Sequence, residues 1–223
     1  MVASTEVKPV VTLAALYGAG GSVIGPRVAE RLGVPFLDRE IPEAVAARTG
    51  LSTDAVAVVD EEPRSASERW ISRLGRAATI SGGAGGVSED LDLEERRLRG
   101  HVEEFLYRAS VSGGVALGRG GVVVLSDVPH ALHVQLSGPR EARVRRGMAI
   151  EEIDRETAER RQEVEDEARI GYVRRAYGVD GRDPRLYHLV LDSTALDLDV
   201  CVELIVAASK ARTRDPRPAP GPE

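Results

Sequence analysis

Apolar and polar positions along this chain alternate between short hydrophobic runs and longer stretches of helical spacing. VVTLAA (10–15) is a run of strand length that ends in glycines, and in the following VIGPRVAERLG the residues Val28 and Leu32 keep one apolar face up to Gly33. The pattern predicts strand, glycine loop, helix. VPFLD (34–38) reads as a second strand with an acidic carboxyl end, and GVALGRG (114–120), ALHVQLS (131–137) and YHLVLDS (187–193) read as three more. Five buried strands separated by helical patterns predict an α/β fold on a five-stranded parallel sheet with helices on both faces.

Two segments stand outside that alternation. Between residues 60 and 110 the composition turns to Arg, Glu, Ser and Gly, with SGGAGG (81–86) inside it, which predicts a substrate-side helical insertion around a mobile loop. Residues 147–180 hold a charged helical pair over Met148 to Tyr177, lid-like in position, most of whose Arg and Glu side chains belong to a solvated face. The expected domain spans 8–210, and the proline-rich tail at 212–223 is expected to be disordered.

Composition narrows the class. With 42% hydrophobic and 30% charged residues the chain is globular, and a net charge of -6 argues against nucleic acid as a partner. Cys201 is the single cysteine, so no internal disulfide forms; its plain reading is a buried apolar residue. No stretch reaches membrane-spanning length and MVASTEVKP lacks a basic leader region, so a cytoplasmic protein with no membrane partner is expected. Homo-oligomerisation is left open.

The chemistry concentrates in LYGAGGSVIG (16–25). Glycines let consecutive backbone N–H groups close on an anion at a helix N-terminus, where the helix dipole adds attraction. Aligned with G-x-x-x-x-G-K-[ST], Gly20 and Ser22 match, but Ala15 stands for the first glycine and Gly21 for the lysine. The chain's two lysines, Lys8 and Lys210, lie outside every motif. A cation on a transferred phosphate must then be an arginine, and the loop by itself is either a phosphate cradle or a plain glycine turn. His130 and His133 in HALH have a ligand spacing without a third ligand, so no metal site is expected there.

The segments VTLAALYGAGGSVIGPRVAERLGVPFLDREI, ALGRGGVVVLSDVPHALHVQLSGPREARVRR and VEDEARIGYVRRAYGVDGRDPRLYHLVLDSTAL, in that order and spacing, resemble the cytidylate kinase-like family of P-loop nucleoside monophosphate kinases. In that family the loop lysine is typically missing, and an arginine and a glutamate usually stand where this chain has Ala15 and Leu16. The resemblance implies a P-loop three-layer sandwich that transfers phosphate from ATP, with Mg2+ as its metal, to CMP or dCMP.

By that resemblance Gly18, Ala19, Gly20, Gly21 and Ser22 would hold the ATP phosphates, with the Ser22 hydroxyl on magnesium or, alternatively, capping the helix. Asp38, Arg39 and Arg119 would bind the acceptor; Asp38 could instead cap the next segment, and Arg119 could form a surface ion pair. Arg169, Asp166 and Arg143 would be catalytic, Arg169 reaching the transferred phosphate and Asp166 orienting it. Asp166 and Arg169, three apart, could equally be an intrahelical pair. A silent nucleotide- or partner-binding module on the same fold is the competing reading, since a scaffold does not decide its function.

Overall fold

The computed structural model describes residues 7–37 and 88–216. Strand β1 (Val10–Ala15) pairs in parallel with β2 (Gly114–Leu117) on one side and with β3 (Ala131–Ser137) on the other, and β3 pairs with β4 (Leu189–Asp192). The sheet order is β2-β1-β3-β4. β1 is therefore central, which explains its unbroken apolar run: a parallel strand covered on both faces has no solvent side.

Successive side chains divide between the two faces. Val11 and Leu13 of β1 and Leu132, Val134 and Leu136 of β3 join Ile24 and Val28 of helix α1 (Gly21–Leu32) in one buried cluster. Cys201, Val202, Ile205 and Val206 enter the same cluster from the C-terminal helix. On the opposite face Val10, Ala116 and Ala131 pack with Val102, Leu106 and Ala109 of helix α2 (Ser88–Ser112) and Val124 of the short α3 (Gly121–Val124). Helices thus lie on both faces of a parallel sheet. Cys201 is fully buried, as its apolar reading requires.

Among the described residues the sheet has four strands, not five. VPFLD contributes an isolated bridge, Phe36 opposite Val115, in which the Val115 N–H donates to the Pro35 carbonyl and the Leu37 N–H to the Val115 carbonyl, both at 2.9 Å. The reason is local: α1 stops at Gly33 in the left-handed conformation (φ 66°), and Pro35 has no N–H for a longer ladder.

The charged pair expected over Met148 to Tyr177 begins earlier, at Arg140. Helix α4 (Arg140–Glu151) stops where Glu152 turns left-handed (φ 54°), and α5 (Arg155–Tyr177) starts at Asp154, whose carboxylate caps the Thr157 N–H at 2.9 Å. Helix α6 (Leu198–Arg214) runs into the region expected to be a disordered tail. Asp38, Arg39 and the SGGAGG segment lie outside the described residues.

Candidate functional site

The glycine loop sits at the carboxyl end of the central strand. Leu16 stays on the sheet through its N–H to the Leu136 carbonyl (3.2 Å), after which Gly18 (φ 69°) and Gly20 (φ 77°) turn the chain into α1. Gly18 is obligatory there. A Cβ at that position would stand 2.0 Å from the Arg143 carbonyl oxygen, with no flexible side chain to give way. Gly20 is the N-cap residue and no side chain caps the helix, so Ser22 lies in the first turn, exposed, with a hydroxyl not used for capping. The Gly21 and Ser22 N–H groups have no intrahelical acceptor and remain available to an anion, while those of Val23 and Ile24 donate to the Gly20 carbonyl.

The back of the loop is gripped by the α4–α5 pair. The Asp166 carboxylate accepts the Tyr17 N–H (2.8 Å) and pairs with Arg143 (2.7 Å), while Arg143 also donates to the carbonyls of Tyr17 (2.9 Å) and Gly138 (3.0 Å). Arg143 is 7% exposed. The Tyr17 ring lies against Gly147, and its hydroxyl donates to Glu151 (3.2 Å), which Arg161 holds at 2.5 Å. Burial, then the Glu151 carboxylate, pushes the Tyr17 hydroxyl well above the ordinary tyrosine range. On the other side the buried Ser193 hydroxyl donates to the Ala19 carbonyl at 2.7 Å. The loop backbone is thereby fixed before any ligand arrives.

In front of the loop lies a cleft of about 120 Å³. Gly18, Gly20, Gly21 and Ser22 line one wall, the turn Gly118–Arg119–Gly120 another, and Arg169 with Tyr172 of α5 a third. Arg169 donates to the Ala15 carbonyl (3.1 Å) and pairs with Glu165 (2.8 Å). Arg119 is left-handed (φ 58°) between two left-handed glycines and 6% exposed, a conformation that costs a non-glycine residue about 1–2 kcal/mol. The Tyr177 ring fills the place of a side chain at Gly120 and seats that turn; Arg99 stacks on the same ring, its carbon Cζ 6.0 Å from the centroid.

Several expected residues meet in this cleft: Gly18, Gly20, Gly21, Ser22, Arg119 and Arg169. Ala19 does not line it; its side chain is wholly buried in the core beside Ile24 and Leu13. Asp166 and Arg143 do not line the cleft: they pair with each other at the loop's back, and the carboxylate partner of Arg169 is Glu165, one helical turn away. A direct Asp166–Arg169 pair is not formed. Gln135, Arg182 and Tyr187, none of them expected at the site, also line the cleft. The signal for Gln135 was present: His133 and Gln135 interrupt an otherwise apolar strand at period two. Lys8 and Lys210 lie at the far end of the sheet: Lys8 beside Gly113, and Lys210 in the last turns of α6, next to Arg212 on the Ala131 carbonyl.

No group of three or more His, Cys, Asp or Glu side chains able to hold a metal occurs among the described residues. The exposed Ser22 hydroxyl fits a magnesium ion that arrives on nucleotide phosphates and needs few protein ligands. Among the described residues no helix is long and apolar enough to cross a membrane.

A parallel sheet with a glycine turn between its central strand and the next helix, faced by arginines, defines an α/β protein whose cleft opens at the carboxyl end of the strands. Residues 10–195 match the cytidylate kinase-like family, and the chain belongs to that family. A cytidylate kinase from Methanopyrus kandleri is 27% identical over 207 residues, covering 91% of this chain and 94% of that protein. A uronate isomerase from Corynebacterium glutamicum is 28% identical over 143 residues, covering 64% of this chain but 27% of that protein. Among solved structures, an uncharacterized protein from Eubacterium ventriosum superimposes with a TM-score of 0.65 at 16% identity, over 92% of this chain and all of that one; it supports the fold alone.

Proposed function

We propose that the chain is a nucleoside monophosphate kinase that moves the γ-phosphoryl group of ATP to CMP or dCMP. The observation that carries this reading is the convergence of the glycine loop, Arg119 and Arg169 on one cleft in a member of the cytidylate kinase-like family. An acceptor phosphate oxygen attacks the γ-phosphorus, the bond to the β–γ bridging oxygen breaks, and ADP leaves with that electron pair. Such a transfer needs in-line positioning and neutralisation of charge on the migrating group more than covalent help.

The roles divide by position. Backbone N–H groups of Gly18, Gly20, Gly21 and Ser22 hold the donor phosphates; Ala19 shapes the loop instead, its N–H donating to the Leu16 carbonyl at 3.0 Å. Arg169 supplies the cation that the loop lacks. Arg119 forks onto the acceptor phosphate from a turn whose strain presents it to the cleft. Asp166 and Arg143 are positioning residues that set the loop, and Asp38 and Arg39 complete the acceptor side as the resemblance implies. Magnesium, when bound with ATP, neutralises phosphate charge, and Ser22 is the residue that would hold it.

A coupled assay with ATP-magnesium and CMP, dCMP, UMP or AMP tests this reading. CMP and dCMP are expected to turn over fastest. The absent lysine favours one other outcome: ATP binding with no transfer to any monophosphate would make the chain a nucleotide-binding module.

A further inference from the structure

One buried polar side chain in the cleft has no part in the roles above. Gln135 on β3 is in register with Ala14 of β1 and shares the sheet face of Thr12 and His133. It is 8% exposed and lines the cleft. Its Nε2 donates to the Gly181 carbonyl at 3.4 Å, and the same carbonyl accepts the Tyr187 hydroxyl at 2.6 Å. A carbonyl can only accept, so the carboxamide must turn its NH2 group toward Gly181 and its Oε1 away. Among the described residues Oε1 takes no hydrogen bond, and it is not one of the sealed polar atoms of the interior. The result is an acceptor oxygen, fixed through its own donor and open to the cleft.

The distance to the other end of the cleft suits a nucleotide. β2 and β3 flank β1, so the Arg119 turn and Gln135 stand two strand spacings apart, about 10 Å. A nucleoside monophosphate bridges that gap with its phosphate at one end and its base at the other. We propose that Gln135 selects the acceptor base: Oε1 accepts the exocyclic amine of cytosine and disfavours uracil, whose carbonyl at that position would face it oxygen to oxygen. The proposal rests on the kinase reading for the placement of the phosphate at Arg119, but base selection shows in binding alone.

Calorimetric titration of the whole chain with CMP, UMP and the 4-desamino analogue of CMP tests it, alongside Gln135→Leu and Gln135→Met, each first checked for a wild-type thermal midpoint. The wild type should bind CMP roughly tenfold more tightly than either UMP or the desamino analogue, one hydrogen bond's worth of discrimination. Both variants should bring the three ligands within about threefold of one another by weakening CMP. Equal binding of CMP and the desamino analogue by the wild type would overturn the proposal, and that arm needs no variant to fold. A CMP preference that survives in folded variants would also overturn it. Selective binding lost in the variants, with no phosphate transfer in the coupled assay, would leave base selection standing and remove the kinase reading.

Discussion

At the scale of single residues, the main lesson concerns Asp166. Its spacing from Arg169 suggests a catalytic partnership, yet side chains at i and i+4 face each other as well as those at i and i+3, and Glu165 takes Arg169. Asp166 instead balances the buried Arg143 and holds the Tyr17 N–H. Asp166→Ala should therefore cost stability, roughly 3 kcal/mol, because it strands a buried guanidinium. Denaturant unfolding checks this: an unchanged midpoint together with a large loss of turnover would restore Asp166 to a direct catalytic role. The glycines were legible because their requirement is local, a turn that only a residue without Cβ can make. The roles of Asp166 and Arg143 were not, because they depend on contacts with a loop 149 and 126 residues away in the chain.

At the scale of elements, strands were legible wherever both faces are covered. VPFLD failed as a full strand because a left-handed glycine and a proline leave it one bridge on β2. The polar side of β3 has a consequence that its apolar side hides. His133 and His188 stack with centroids 4.9 Å apart, and His133 Nδ1 shares a 2.8 Å hydrogen bond with the Thr12 hydroxyl. Burial, then the neighbouring His188 and Arg212, lowers His133 to about 3; burial, then Arg212, lowers His188 to about 4. Both folded values lie below the unfolded one, near 6.5. Stability is therefore whole above about pH 6.5 and falls as acid protonates these rings only in the unfolded chain, by up to about 1.4 kcal/mol per pH unit from His133. Urea midpoints between pH 7 and 5, above the main carboxylate range, should show this decline. His133→Gln should roughly halve it, leaving the His188 share, and an equal slope in that variant would contradict the assignment.

At the scale of the whole molecule, the cleft joins segments that are remote in sequence: the loop after β1, the turn after β2 and the middle of α5. α5 bridges them, gripping the loop through Asp166, offering Arg169 to the cleft and seating the Arg119 turn through Tyr177. Because this preorganisation does not involve a lysine, the loop should bind pyrophosphate even in a variant that cannot transfer phosphate. Binding raises stability by mass action, so millimolar pyrophosphate should raise the thermal midpoint of Arg169→Ala; no shift would show that the cradle fails without that arginine. The sheet order and the meeting of Arg119 with Arg169 could not be read from local pattern, since both are set by pairing across the fold. Whether Arg169 takes the place of the missing lysine is decided by the steady-state kinetics of Arg169→Ala with ATP-magnesium and CMP. A fall in kcat of roughly 10³-fold or more is expected with the KM for CMP nearly unchanged, while Arg119→Ala mainly raises that KM. Near-normal turnover by Arg169→Ala in an enzyme that phosphorylates CMP would contradict it.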